Sequence, residues 1–109
     1  MNHIYENLEE RMMELKKIIK DKEKSLKKAP KGILNVHSSK GRVQYYYKEK
    51  PADKARRYMR ENEKLLVKEL CQKDYDERVL DTAQKELKIL DKLYIFLLYF
   101  PFMFPIYTQ

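Results

Sequence analysis

Two triplets in this chain carry the letters of a nuclease motif. Glu14-Leu15-Lys16 and Glu86-Leu87-Lys88 match the Glu-x-Lys of enzymes in which carboxylates hold Mg²⁺ and a lysine steadies the attacking water. That chemistry needs both side chains of a triplet to face one metal ion. Both triplets lie within helical periodicity, where residues two apart point in different directions. We therefore expect that the chain is not an enzyme and has no catalytic site, no metal site and no cofactor.

The other nucleophilic and metal-binding side chains are isolated. His3 and His37 have no companions at the spacing of metal ligands. Cys71 is the only cysteine, and its place in a helical pattern predicts a buried, unreactive thiol. A lone cysteine forms no internal disulfide, and residues 1–6 lack the basic and then apolar layout of a signal peptide. We expect a cytoplasmic protein.

Positive charge is concentrated in the middle of the chain. Residues 27–60 hold eleven basic and two acidic residues, a net charge of +9, so the rest contributes −2 to the total of +7. A basic surface attracts polyanions such as nucleic acid or anionic lipid. It also serves simply as a solvated, solubilising surface, and composition alone leaves both interpretations open.

Three consecutive tyrosines lie in this basic segment. In a strand, alternation puts Tyr45 and Tyr47 on one face and Tyr46 on the other. We expect the first two to pack against a helix, and Tyr46 to be the candidate for stacking on a base or sugar. Basic side chains would then contact phosphates. The predicted nucleic-acid-binding residues are Lys40, Arg42, Tyr46, Lys48, Arg56 and Arg57.

These side chains need a framework, and the first part of it is a helix. Residues 3–28 place apolar side chains at alternating steps of three and four, which predicts one amphipathic helix that ends before Pro30. Its narrow apolar stripe suits packing within the chain, antiparallel to a C-terminal helix, or a short coiled coil with a partner. Both options remain open.

The basic segment itself reads as a small sheet. Residues 33–48 alternate apolar and polar positions around a turn at Gly41, which predicts a β-hairpin, and residues 56–59 predict a third short strand beside it. A helix over 62–72, with Asn62 as its N-cap, would cover one face of this sheet.

The chain then continues as helix. The capping-box spacing of Asp74 and Glu77 predicts a break near Lys73, followed by a second helix through Leu90. Asp81 lies four residues before Lys85, a spacing that supports this helix by ion pairing.

The last segment is apolar. Residues 93–107 carry no charge, are fewer than the about 20 needed to cross a bilayer, and are interrupted by Pro101 and Pro105. We expect a buried or partner-covered segment, with membrane association less favoured. We also expect a chain that ends after Lys92 to keep its helices and its sheet.

Taken as a whole, the patterns predict one small α+β domain in four parts. The parts are an amphipathic helix (1–29), a basic antiparallel three-stranded sheet (30–60), a segment of two helices (61–92) and an apolar tail (93–109).

A family resemblance covers about residues 5–92. It is carried by Ala29-Pro30-Lys31-Gly32-Ile33-Leu34, Gly41, Tyr45-Tyr46-Tyr47, Arg57-Tyr58-Met59 and Gln72-Lys73-Asp74-Tyr75-Asp76-Glu77-Arg78-Val79-Leu80. The pattern resembles the N-terminal region of uncharacterised proteins of clostridial genomes and their phages. Longer members carry a C-terminal half similar to the restriction-endonuclease-like, PD-(D/E)XK, fold.

The resemblance implies an accessory region of a nuclease-like protein, and no catalytic position of the family falls on this chain. From Leu93 the sequence departs from the family pattern, which would fit a truncated or aberrant end. The strand order also resembles the arm-type DNA-binding domain of phage integrases, where a three-stranded sheet presents basic and aromatic residues to the duplex.

The resulting hypothesis is a non-catalytic module, associated with nucleic acid without sequence preference or serving as a scaffold. The alternative is a protein-interaction or dimerisation module that uses the amphipathic helices and the apolar tail. A membrane-associated small protein is the third and least favoured class.

Overall fold

The computed structural model describes residues 3–100 and has the order helix, three strands, helix. The elements are α1 (Ile4–Lys27), β1 (Ile33–Ser39), β2 (Arg42–Lys48), β3 (Arg57–Tyr58), a 3₁₀ turn (Glu61–Glu63) and α2 (Lys64–Tyr99). The strands form one antiparallel sheet in the order β1-β2-β3. The α+β class is confirmed. Two compact units result, a helical unit (3–23 with 79–100) and a sheet unit (24–78).

The helical unit is an antiparallel pair of α1 and the second part of α2. Tyr5 near the start of α1 donates its hydroxyl proton to the carbonyl of Leu97 over 2.9 Å, while Arg11, farther along α1, bonds to Glu86. The rings of Tyr5 and Tyr94 meet edge to face with centroids 5.9 Å apart. The core between the helices is apolar and buries Leu8, Leu15, Ala83 and Leu97.

The expected break in the C-terminal helix is wrong, because α2 runs unbroken from Lys64 to Tyr99. Asp74 does not cap a new helix but accepts a bond from Arg78 over 2.9 Å, the i, i+4 pairing of a helix interior. Asp81 and Lys85 pair in the same way at 2.8 Å, as expected. No glycine or proline occurs between residues 64 and 99, so nothing in the sequence forces the helix to end.

The start of α2 also differs from the expectation that Asn62 is its N-cap. A 3₁₀ turn precedes the helix, and its cap is Arg60 in extended conformation. The Arg60 backbone N–H donates to the Glu63 carboxylate over 3.0 Å, which satisfies a donor that the turn leaves unpaired.

The hairpin is confirmed, with Gly41 in its turn. β1 and β2 pair from Ile33 with Lys48 to Ser39 with Arg42, which leaves a two-residue loop. Lys40 and Gly41 both have positive φ, 52° and 75°, the conformation of the type I′ turns that match the twist of a hairpin.

The third strand is confirmed as a two-residue strand. Tyr46 pairs with Tyr58, and the Met59 N–H donates to the Tyr45 carbonyl over 2.8 Å. Met59 and Leu70 are buried and form the core of the sheet unit.

A lysine of α2 holds the turn that enters the sheet. The Lys73 ammonium donates to the carbonyls of Pro30 and Gly32 over 3.0 and 2.9 Å. These carbonyls lie outside any strand and need partners, since an unpaired buried carbonyl is costly. Gly32 has a φ of 109° and lies against the Tyr47 ring.

Cys71 is exposed, so the expectation of a buried thiol is wrong. Its neighbour Leu70 takes the buried position at 1% exposure. Successive helical residues are about 100° apart around the axis, so burial of Leu70 turns Cys71 toward solvent.

The apolar tail begins inside α2. The helix crosses residue 93 without interruption, Leu97 is 2% exposed, and the Tyr94 hydroxyl donates to Glu9 over 2.6 Å. A chain that ends after Lys92 would lose these contacts with α1, and the expectation that it keeps its helices and its sheet stays a prediction. Residues 101–109 lie outside the described residues. Over 3–100, no helix combines the length and the apolar character that crossing a bilayer requires.

Candidate nucleic-acid interface

Strand pairing decides which side chains share a face of the sheet. Residues two apart on a strand, and residues directly opposite on a neighbouring strand, lie on the same side. Tyr46 therefore shares its face with Arg42 and Lys48 on β2 and with Tyr58 on β3. Arg56 packs over Tyr46 on this side. We call this surface the basic face, formed by Arg42, Tyr46, Lys48, Arg56 and Tyr58.

An aromatic and guanidinium cluster lies at the centre of the basic face. The guanidinium carbon of Arg56 is 4.1 Å from the centroid of the Tyr46 ring, and the Tyr58 ring meets Tyr46 edge-on with centroids 5.6 Å apart. The Tyr46 hydroxyl donates to Gln44 over 3.1 Å. Tyr46 is half-buried. Arg56 already covers one face of the Tyr46 ring, which was expected to stack on a base.

Tyr58 is the aromatic side chain that sequence reasoning missed. It is 52% exposed, compared with the half-buried Tyr46. Its place beside Tyr46 follows from a two-residue strand at the sheet edge. The only sequence signal was the run of Arg56, Arg57 and Tyr58 itself, since the register of so short a strand is set by its partner.

The predicted basic residues occupy different places along the hairpin. Lys40 is exposed in the turn, Arg42 is exposed at the first position of β2, and Lys48 is half-buried at its last position. At about 3.3 Å per residue, Arg42 and Lys48 lie about 20 Å apart along the strand. Four of the six predicted residues, Arg42, Tyr46, Lys48 and Arg56, share the basic face, with Lys40 at its end.

Arg57 is the predicted residue that the structure does not bring to the basic face. By pairing with Tyr47 it belongs to the opposite side of the sheet, and its guanidinium carbon is 5.3 Å from the centroid of the Tyr47 ring. It also donates to the Glu63 carboxylate over 2.7 Å. That bond, with the backbone N–H of Arg60, holds the pKa of Glu63 below its ordinary value. Arg57 thus ties β3 to the 3₁₀ turn.

The side of the sheet opposite the basic face carries Tyr45 and Tyr47, both half-buried. The Tyr47 hydroxyl donates to the carbonyl of Lys31 over 3.2 Å. Tyr45 and Val43 line a groove together with Val67 of α2. Tyr45 therefore lies next to the helix, as expected, whereas Tyr47 contacts Lys31 and Arg57, and its packing on a helix stays a prediction.

The glutamates of the two nuclease-like triplets are both bound to one arginine. Arg11 donates to Glu14 over 3.0 Å and makes two bonds to Glu86, of 2.5 and 3.1 Å. Arg11 holds the pKa of Glu86 below its ordinary value, mainly through the hydrogen bond. Within residues 3–100, no three His, Cys, Asp or Glu side chains are grouped closely enough to hold a metal ion.

No protein-family model, curated protein or solved structure matches this chain.

Proposed function

We propose that this chain is a non-catalytic module that binds nucleic acid through the basic face of its sheet, without sequence preference. The observation that carries the proposal is the cluster of Arg56, Tyr46 and Tyr58 at the centre of a face that also presents Arg42 and Lys48. Cations contact phosphates, and aromatic rings and guanidinium planes contact bases or sugars.

The charge distribution supports the same proposal. The segment 27–60 that contains the sheet has a net charge of +9. Each phosphate that a protein cation neutralises releases condensed counterions, which drives binding and makes it dependent on salt. Non-specific binding is the expected mode, because contacts to phosphate carry no sequence information.

The nuclease-motif glutamates support a non-catalytic role, since both are bonded to Arg11 in the helical unit and neither lies on the sheet. By the family resemblance, such a module would serve a nuclease-like region. Its exposed thiol would stay reduced in the cytoplasm, where we propose that it acts.

The test is a titration of fluorescently labelled single-stranded and duplex oligonucleotides at several salt concentrations, read by anisotropy. The triple variant Lys40→Glu, Arg42→Glu, Arg56→Glu should bind at least tenfold more weakly. The slope of log affinity against log salt should fall by about two to three, at about 0.9 per lost phosphate contact on duplex. Arg57 is left unchanged because it is bonded to Glu63.

The matched control reverses three exposed lysines of α1, Lys16, Lys17 and Lys20, and so changes net charge by the same amount. It should weaken binding much less than the triple variant. An equal loss in both variants would mean that net charge alone attracts the polyanion. No binding by the unaltered chain at low salt would refute the proposed function.

A second candidate function is self-association, favoured by an apolar stripe on α2. Ile89, Leu93, Phe96 and Phe100 follow one another at steps of four, three and four, and are between 37% and 65% exposed. Such spacing forms a continuous seam on one side of a helix. The rings of Phe96 and Phe100 pack together, with centroids 5.0 Å apart.

We propose that the stripe packs against the same stripe of a second copy of the chain, with the two copies related by two-fold symmetry. The exposed part of the four side chains amounts to roughly 400 Å², since a large aromatic side chain alone offers about 150–250 Å². A standard interface buries about 800 Å² per partner, so the stripe supplies half of one and a weak dimer is expected.

Sedimentation over a concentration series tests this second candidate. The sedimentation coefficient should rise with concentration, and Leu93→Ser with Phe96→Ser should remove the rise. Ile95→Ser, at a 54% exposed position outside the stripe, is the control and should leave it unchanged. A chain that stays monomeric at high concentration would eliminate this candidate.

A further inference from the structure

The sheet unit contains a groove in addition to the basic face. The groove has a volume of about 310 Å³ and lies between the sheet and the start of α2. Its apolar and aromatic lining comes from Val43, Tyr45, Tyr58, Met59 and Val67, and its charged groups are Arg60, Lys64 and the acidic Glu61. Ligand pockets in proteins span about 300–1,000 Å³, so this groove, at the lower end of that range, suits only a small group.

The walls of the groove are apolar and accessible. Val43 and Tyr58 are 53% and 52% exposed, although large apolar side chains are usually more buried. Tyr58 also lies at the edge of the basic face, where it contacts Tyr46. Val43 and Tyr45 belong to the opposite side of the sheet, so a nucleic-acid strand with its phosphates on the basic face would reach the groove around the β3 edge, at Tyr58.

The rim of the groove carries cations. Arg60 and Lys64 lie on its helix side, and Lys64 is paired with Glu61 over 3.0 Å at an exposed position. Exposed pairs of this kind are weak, so breaking this one to bind a phosphate would cost little. A second recess of about 480 Å³ shares Tyr58 and Arg60 and adds Arg57, Asn62 and Glu63. Together, the two recesses give the phosphate backbone of a nucleic-acid strand a polar path past Tyr58.

We propose that this groove binds one unstacked nucleobase of a single-stranded nucleic acid, which stacks on the ring of Tyr58. This inference rests on the proposed function. Every base has a flat face that an aromatic ring can stack on, so the groove needs no sequence preference. A duplex keeps its bases stacked and paired, and flipping one out costs several kcal/mol. The groove therefore makes the chain prefer single strands.

The test compares three probes of equal length: a single-stranded oligonucleotide, a duplex, and an abasic single strand that has the same phosphates without bases. The base-bearing strand should bind at least about fivefold more tightly than the abasic strand, the lower end of measured stacking contributions. Tyr58→Leu should erase that difference, and because Tyr58 also belongs to the basic face, the affinity for duplex is compared in Val67→Phe, which should leave it within about twofold.

A second variant separates the groove from the basic face. Val67→Phe narrows the groove from the α2 side without touching Arg56 or Tyr46, and should also erase the difference between the base-bearing and abasic strands. The control is Tyr75→Leu, which removes a tyrosine of similar exposure, 58%, outside the groove lining. It should leave the difference intact.

The possible outcomes distinguish failure of the groove inference from failure of the proposed function. Equal binding of base-bearing and abasic strands would overturn the groove inference and leave the proposed function standing. A difference that survives both Tyr58→Leu and Val67→Phe would also overturn it, because the bases would then bind elsewhere. A chain that binds none of the three probes would remove the proposed function together with the inference.

Discussion

The guanidinium carbon of Arg56 lies 4.1 Å above the centre of the Tyr46 ring. This contact holds a cation in a fixed position on the sheet and covers one side of the aromatic ring. Arg56 is exposed, and guanidinium groups stack on bases as well as on aromatic rings, so under the proposed function its other side would stack on a base. Arg56 can thus contact both a phosphate and a base.

The first prediction separates the charge of Arg56 from its planar shape. Arg56→Lys keeps the charge but removes the guanidinium plane, so we expect about two- to fivefold weaker binding of single strands, because an ammonium cannot stack on a base as a guanidinium does, a contact of about 0.5–1 kcal/mol. Arg42→Lys, at the exposed end of the same face, is the control. Anisotropy titrations measure both, and equal effects of the two substitutions would contradict a special role for the stack.

The second prediction concerns the hairpin turn. Lys40 has a φ of 52°, which is costly for a residue with a long side chain and well tolerated by asparagine. Lys40→Asn should therefore stabilise the sheet unit by about 1 kcal/mol. It should also weaken binding to duplex slightly, because one phosphate contact is lost. Urea denaturation and anisotropy measure the two effects, and loss of both stability and affinity would contradict this account.

The third prediction compares the two glycines. A Cβ at position 32 would lie 2.2 Å from the Tyr47 ring, whereas a Cβ at position 41 meets nothing within 4 Å. Both glycines have positive φ, so Gly41→Ala measures the backbone cost alone, about 1 kcal/mol. Gly32→Ala should be clearly more destabilising. The double variant Gly32→Ala, Tyr47→Leu should recover part of the loss, and no recovery would show that the Tyr47 contact is not the cause.

The fourth prediction tests whether the start of the apolar tail belongs to the core. Leu97 is 2% exposed and Leu98 is 51% exposed. Leu97→Ala should cost about 2–5 kcal/mol of unfolding free energy, and Leu98→Ala about 0.5 kcal/mol or less. Circular dichroism during urea denaturation measures both. Similar effects of the two substitutions would mean that this end of α2 does not pack on α1.

The fifth prediction is a pH dependence at the pair of Arg11 and Glu86. Arg11 lowers the pKa of Glu86 below its ordinary value of 4.5, so the folded state binds fewer protons at this carboxyl than the unfolded state. The stabilisation is then present above that ordinary pKa and is lost as pH falls through the lowered one. Glu86→Gln should have a lower urea midpoint than the unaltered chain near neutral pH, and the difference should vanish in acid.

Glu77→Gln, at an exposed position of α2, is the control for this measurement. It should show no comparable difference at neutral pH. A Glu86→Gln deficit that persists unchanged to about pH 2 would show that something other than the ion pair is responsible.

Local patterns predicted α1 and the hairpin well. The alternation from Leu34 to Tyr47 and the glycine of the turn are signals within a few residues of each other, and the hairpin needs little else. In α1, the apolar period and Pro30 together define the element and its end.

The break in α2 could not be decided in the same way. Asp74 and Glu77 have the spacing of a capping box, but Asp74 and Arg78 also have the spacing of an ion pair inside a helix. Both patterns occur in one stretch, so the local sequence cannot choose between them; in the structure Leu70, before this stretch, and Ala83, after it, are both buried.

The candidate site was partly predictable. The alternation on β2 correctly placed Tyr46 opposite to Tyr45 and Tyr47, because it depends on the strand alone. The positions of Arg57 and Tyr58 depend on how a two-residue strand pairs with β2, which is a tertiary property. For the same reason the groove beside Tyr58 has no signal in the sequence.

The exposed thiol of Cys71 has a practical consequence for this molecule. It is the chain's only cysteine and lies on the solvent side of α2, so an oxidant can join two chains at a single point. The product would be a covalent pair carrying two basic faces, and, given the proposed nucleic-acid binding, avidity would tighten that binding with no new contact. The same position accepts a single fluorophore or spin label, and Cys71→Ser removes both reactions.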